Sequence, residues 1–227
     1  MTPTDLVLSS GFLAFARHIG VLRALEEQRI PLSGICGTSS GALVGALAAA
    51  GLSSDAIAAE LSRQRPVALL RLHGRLWRGA MSLTGLVERL SELLPPTFEE
   101  LPTPLAVGVA RGGRHQLLSS GPLPEAVAAS CAIPGVFVPV TVEGVDWADG
   151  AAVDRLGLDA WRALRGPRQT LVHVVQRSHG PASAADLSGC TVVHSDRSRA
   201  SFLSLRDFDT QVDESYDAAL QALRVAA

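Results

Sequence analysis

The chain has 227 residues, 47% of them hydrophobic, which suits one globular domain over residues 1–227 with a full-sized core and leaves two domains cramped. A formal net charge of -2 and a pI near 6.3 exclude a surface drawn as a whole to nucleic acid or to an acidic membrane. All 20 basic residues are Arg, which together with the absence of Asn reads as the coding bias of a GC-rich bacterial genome; the three scattered cysteines describe neither a disulfide framework nor a zinc site.

Leu6-Val7-Leu8 is a short apolar run closed by Ser9-Ser10-Gly11, the pattern of a buried strand entering a turn. His18 to Gln28 carries apolar residues at helical spacing, Leu32 to Cys36 is a second short strand, and Gly41 to Ala50 is an Ala- and Leu-rich helix expected to be buried. Ser53 or Ser54 is placed to cap a helix running through Leu61, and residues 82–94 give another, closed by Pro95-Pro96. Beyond it Leu105–Ala110, His115–Leu118 and Val136–Val142 are strand-like, with a helix near Leu123–Ala129 between them. Arg111-Gly112-Gly113-Arg114 reads as a hairpin turn rather than a phosphate loop. Leu171–Gln176 and Thr191–His194 are later strands, and a helix from about Phe208, with an acidic start, ends the chain. This alternation predicts an α/β fold with a largely parallel sheet.

The first ten residues have no basic stretch followed by an apolar segment, so no secretory signal is read. No run reaches the 18 or so apolar residues of a membrane span. The cytoplasm is the expected location, with at most a peripheral position at a membrane. Residues 66–80 mix Leu and Trp77 with Arg71, Arg75 and Arg78, a composition that fits a lid or a transient membrane-surface contact. An ordinary surface segment whose Arg stems cover apolar surface is the favoured reading.

Gly37-Thr38-Ser39-Ser40-Gly41 is G-x-S-x-G between a predicted strand and a predicted helix. A sharp turn there needs small flanking residues and lifts the Ser39 side chain out of the fold. A plain capping turn has the same composition, so the pattern alone divides evenly between the two readings. Only one strand and one helix precede Ser39, too little for the sheet of an α/β-hydrolase, so the acid and His of that fold are not to be assumed. Oxyanion donors are then expected from the first strand-to-helix turn, Ser9-Ser10-Gly11-Phe12, since loops after neighbouring parallel strands share one sheet edge. Trp147-Ala148-Asp149-Gly150-Ala151 supplies a candidate carboxylate, weak as a signal by itself. No His/Cys/Asp/Glu grouping has metal spacing, and no cofactor is expected.

Four blocks in order resemble the patatin-like phospholipase family, over roughly residues 5 to 160. They are Leu6–Ser9 with His18–Glu27, Gly37–Leu47, Ala129–Phe137 (A-S-x-A-I-P-G-x-F) and Asp149-Gly150-Ala151 (D-G-[GA]). The resemblance implies a three-layer α/β/α sandwich and a Ser–Asp dyad without a catalytic His. Carried over, Ser39 is the nucleophile, Asp149 the base, and Ser10, Gly11 and Phe12 form the oxyanion loop. Two departures stand out. The family's three glycines followed by x-Arg-Gly are here Ser10-Gly11-Phe12-Leu13-Ala14-Phe15, and its x-N-x-P segment is Asp154-Arg155-Leu156-Gly157.

The implied activity is hydrolysis of lipid acyl esters, of phospholipase A or carboxylesterase type, through an acyl-enzyme. A thioesterase or acyltransferase on a related fold is one alternative. A lipid- or partner-binding domain without turnover is another, supported only by the departures at Ser10–Phe15. His173 and His194 follow Asp149 in the chain and leave a Ser–Asp–His order formally open; the resemblance argues against it and assigns His18 to packing.

Overall fold

A computed structural model describes residues 3–63, 66–72, 80–176 and 185–226. Its elements in chain order are β1 (Thr4–Leu8), α1 (Phe15–Glu27), β2 (Leu32–Thr38), α2 (Ser40–Ala49), α3 (Ser54–Ser62), β3 (Arg71–Leu72), β4 (Met81–Ser82) and α4 (Thr84–Leu93). There follow β5 (Leu105–Arg111), β6 (Arg114–Leu118), α5 (Leu123–Ser130), β7 (Val140–Val142), β8 (Val145–Asp149), α6 (Leu158–Arg165), β9 (Thr170–Val175), β10 (Thr191–Ser195) and α7 (Phe208–Ala226).

The main sheet runs β10-β9-β1-β2-β5-β8-β7, with β6 also on β5. The pairings from β10 through β5 are all parallel; β6, β7 and β8 are antiparallel. Alternation within the strands sends side chains to two cores. Leu6, Leu8, Ile35, Leu171 and Val193 pack with residues of α1, α2, α4, α5 and α7 on one face. Val7, Cys36, Ala106 and Val172 pack with Leu158 and Trp161 of α6 on the other. Helices thus cover both faces, as the three-layer expectation requires.

Most of the predicted elements are present. Ser53 is the residue that caps α3, its Oγ accepting from the Ala56 amide at 3.2 Å. The Gly112-Gly113 hairpin joins β5 to β6 as expected, with both glycines at positive φ. One expectation needs correction. The strand over Val136–Val142 is confined to Val140–Val142, because Val136 and Phe137 fold back in a turn whose amides bond to Ile133 O. A strand over Val145–Asp149 and a helix over Leu158–Arg165 complete the architecture and were not among the sequence-based elements. Of the mixed segment 66–80, Pro66–Leu69 forms a 3₁₀ turn and Arg71–Leu72 pairs with Met81–Ser82. Residues 73–79, with Arg75, Trp77 and Arg78, lie outside the described residues, as do His73 and His179.

The position of β8 decides the geometry of the site. On one side β5 is paired with β6 from Val107 to Arg111. On its other side Val107 and Gly108 pair with Gly37 and Thr38, and the next residues, Val109 and Ala110, pair with Asp149 and Ala148. The C-terminal ends of β2 and β8 therefore meet head to head along one strand, which brings Ser39 and Asp149 together although 110 positions separate them.

Candidate active site

Ser39 stands at φ 57°, ψ -119°, a conformation that costs a non-glycine residue of order 1–3 kcal/mol and persists only where its surroundings enforce it. The neighbours that enforce it are tight. A Cβ on Gly41 would lie 2.4 Å from Leu8 O and 2.7 Å from Ser9 O, so the turn presses directly on the end of β1. From behind, the Ser39 amide donates to Ser130 Oγ at 2.9 Å, and the Ser130 hydroxyl donates to Gly108 O at 2.6 Å. The Cys131 thiol reaches Ser39 O at 3.4 Å. Ser130 and Cys131 thus brace the turn, a role their place in the A-S-x-A-I-P-G block does not reveal.

Asp149 ends β8 as a buried carboxylate, its amide donating to Ala132 O at 2.9 Å. Burial raises its carboxyl to about 6, against the opposing effects of the Ala151 amide, which donates to Oδ1 at 2.8 Å, and of the Ser39 hydroxyl. The structure therefore brings two of the sequence-derived candidates into one polar pair, with the N-terminus of α2 directly behind Ser39.

The loop at Ser10, Gly11 and Phe12 lies beside them. The Ser10 amide is taken by Arg155 O at 2.9 Å, whereas the amides of Gly11 and Phe12 donate to no group among the described residues. A Cβ on Gly11 would come within 2.7 Å of Ala14 Cβ, so this position is held to glycine by space. Leu13 follows in the left-handed region, at φ 49°.

Two hollows open on either side of Ser39 and share Phe12, Ser39 and Ile133 as lining. The mostly apolar one spans about 1000 Å³ between Leu43 and Leu47 of α2, Leu61 of α3, Leu86, Leu90 and Leu93 of α4, and Phe137, with the ion-paired Glu60 and Arg89 also on its lining. The other, of about 980 Å³, carries Ser10, Asp149, Arg155 and Gln176. Both volumes include space open to solvent.

Among the described residues no histidine is hydrogen-bonded to Ser39 or Asp149. Fully buried His18 meets His173 Nδ1 to Nδ1 at 2.9 Å and Ser40 Oγ, not Ser39, at 3.3 Å. His173 passes the chain on to Ser195 Oγ and Ser215 Oγ, at 2.9 Å each. His194 is exposed on β10. Among the described residues no three His, Cys, Asp or Glu side chains are grouped to hold a metal, and no helix is long and apolar enough to cross a membrane.

A doubly covered, mostly parallel sheet with a strained serine turn between strand and helix, facing a buried aspartate, defines the class as an α/β/α sandwich with its candidate site at the sheet edge. A family model for patatin-like phospholipase matches residues 6–160, and the chain belongs to that family. An uncharacterized NTE family protein of Mycobacterium tuberculosis is 32% identical over 185 residues, covering 80% of this chain and 51% of the relative. Lysophospholipase nte1 of Aspergillus fumigatus is 30% identical over 175 residues, 70% of this chain but 11% of the relative. The chain thus spans about half, or much less, of the length of these relatives. Among solved structures VipD from Legionella pneumophila superposes with a TM-score of 0.68 at 14% identity, over 99% of this chain and 67% of that one. ExoU of Pseudomonas aeruginosa, in complex with SpcU, gives 0.55 at 16% identity, over 99% and 52%. These likenesses show the same fold.

Proposed function

We propose that this protein hydrolyses acyl esters of lipids through a Ser39 acyl-enzyme, with Asp149 as the base. The observation that carries the reading is the strained Ser39 turn set against a buried carboxylate whose pKa is raised to about 6. A carboxylate with an ordinary pKa is a poor base; one near 6 is ionised at neutral pH and still accepts a proton usefully. Asp149 takes the hydroxyl proton as Ser39 Oγ attacks the ester carbonyl. The amides of Gly11 and Phe12 receive the oxyanion, and Ser10 holds the loop with its own amide already engaged. Collapse expels the alcohol, which takes the proton from Asp149. Asp149 then takes a proton from the water that attacks the acyl-enzyme and returns it to Ser39 Oγ as the acid leaves, which restores both groups.

The two hollows sort the substrate. The apolar one suits the acyl chain, the polar one the leaving alcohol or head group. Leu43 and Leu47 lie one and two turns along α2 from Ser39, a reach of roughly 12 Å. An extended chain advances about 1.25 Å per methylene, given C–C bonds of about 1.52 Å, so about eight to ten carbons fill that length. The lysophospholipases among the relatives agree with a substrate bearing a single acyl chain. At the mouth Phe12 (41% exposed) packs edge-on against Phe202, next to Leu203 (67% exposed). That apolar rim fits transient contact with a lipid surface.

The test is a p-nitrophenyl ester series from acetate to palmitate, followed by lysophosphatidylcholine. Turnover is expected to rise to about C8–C10, and Ser39→Ala and Asp149→Ala each to lose at least about 10³-fold in kcat. Hydrolysis that persists in folded Ser39→Ala would contradict the proposal.

A further inference from the structure

We propose that Arg155 is a positioning residue that fixes the oxyanion loop from outside it. Arg155 is 8% exposed, and almost everything polar about Ser10 terminates on it. Its Nε donates to Ser10 Oγ at 3.0 Å and its Nη2 to Ser10 O at 2.6 Å, while its own carbonyl accepts the Ser10 amide at 2.9 Å. The same Nη2 also donates to Val175 O at 2.9 Å, at the end of β9. One side chain thus ties the residue before Gly11 to the sheet edge.

The loop needs an external tie because it has few of its own. The amides of Gly11 and Phe12 donate to nothing among the described residues, and Leu13 sits in the left-handed region. Downstream, the loop is held by the Ala14 amide on Gly11 O at 3.3 Å and by the Ser198 hydroxyl on Leu13 O at 3.0 Å. Arg155 also lies six residues after Asp149; the turn between them is held by the Val153 and Asp154 amides on Gly150 O, at 2.9 Å each, and Arg155 itself is spanned by the Leu156 amide on Asp154 Oδ1 at 2.9 Å. The segment that places the base therefore places the oxyanion donors as well. A planar guanidinium serves three acceptors in a fixed fork; the point charge of a Lys does not.

The inference rests on the Ser39 reading, and the experiment keeps the two apart. Arg155→Met and Arg155→Lys are compared with wild type in ester hydrolysis, in affinity for an alkyl trifluoromethyl ketone (which forms an oxyanion on the serine), in thermal unfolding, and in hydrogen exchange of peptides spanning residues 9–14. Folded Arg155→Met is expected to lose about tenfold to a hundredfold in kcat, with KM changed less than threefold. The ketone should bind more weakly by the same factor, and Arg155→Lys should recover little. Residues 9–14 should exchange faster while the peptide around Ser39 is unchanged. Should Arg155→Met fail to fold, Ser10→Ala removes one acceptor and is expected to lose a few-fold in kcat. The exchange measurement needs no turnover: unchanged protection of residues 9–14 in Arg155→Met overturns the clamp even if the chain hydrolyses nothing. A kcat loss with undiminished ketone affinity overturns it in an active enzyme.

Discussion

Asp149 carries a conflict between chemistry and stability. Burial lifts its carboxyl to about 6, so the ionised form that serves as base is disfavoured in the folded chain relative to the unfolded one. Activity that needs the carboxylate should fall below half its plateau near pH 6 as pH drops, which a kcat/KM profile between pH 4.5 and 8.5 measures. For stability the sign is opposite to that of a salt-bridged acid. The folded pKa lies above the ordinary 3.8, so folding is penalised fully above pH 6 and the penalty is relieved as pH falls from 6 toward 4. A carboxyl lifted from 3.8 to about 6 costs the folded chain about 3 kcal/mol at neutral pH. Asp149→Asn keeps an acceptor for the Ala151 amide and is expected to raise the melting temperature by several degrees at pH 8, with the gain gone near pH 4. A variant no more stable than wild type at pH 8 would contradict the raised pKa. Ser39 and Asp149 are legible in the sequence because turn chemistry and family resemblance both mark them. Ser130, Cys131 and Arg155 act through contacts 91, 92 and 145 positions away, and no local pattern announces such partners.

Elements were legible where the apolar pattern is strong, as helical spacing in α1 and α7, as a continuous Ala- and Leu-rich run in α2, and as short apolar runs in the parallel strands. The strand over Val145–Asp149 was not, because Asp146 and Ala148 interrupt its apolar pattern and its pairing with β5 spans two residue pairs. Yet that short antiparallel pairing is what delivers Asp149 to Ser39. The helix at Leu158–Arg165 is only eight residues long, about two turns, so its buried Leu158 and Trp161 give a single helical repeat and no sustained pattern. Between the elements runs a buried polar line from Ser40 through His18 and His173 to Ser195 and Ser215. Burial holds His18 down to about 3 and His173 well below the usual imidazole value, with Arg155 near the first and His18, Arg17 and His194 near the second. Both imidazoles stay neutral in the folded chain but protonate near 6.5 once unfolded, so stability is lost as pH falls below about 6.5. Near pH 5 the unfolded chain holds imidazole protons on His18 and His173 that the folded chain lacks, while the folded chain holds a proton on Asp149 that the unfolded chain lacks. Denaturation at a series of pH values should therefore show Asp149→Asn taking up about one proton more on unfolding near pH 5 than wild type does. Equal slopes in the two proteins would mean that Asp149 titrates normally.

At the scale of the whole molecule, the two parts of the site come from opposite halves of one sheet, Ser39 from the parallel half and Asp149 from the antiparallel one. The two share β5, and the helical core beneath them includes residues from β1 to α7. We propose that residues 1–227 form one folding unit. Ellipticity, Trp fluorescence and loss of Ser39 reactivity are then expected to change in a single coincident transition with denaturant; separated transitions would divide the sheet into two units. The order of α and β elements in the sequence was enough to anticipate the covered, largely parallel sheet. It did not reveal that β2 and β8 meet end to end, since register between distant strands is set by packing that no single segment encodes. The most direct measurement is labelling with a fluorophosphonate probe, read by intact mass, on wild type, Ser39→Ala and Asp149→Ala. A single adduct on wild type is expected, absent from Ser39→Ala and formed much more slowly in Asp149→Ala. A folded wild-type chain that takes no adduct, or an adduct that survives in Ser39→Ala, would contradict an activated Ser39 paired with Asp149.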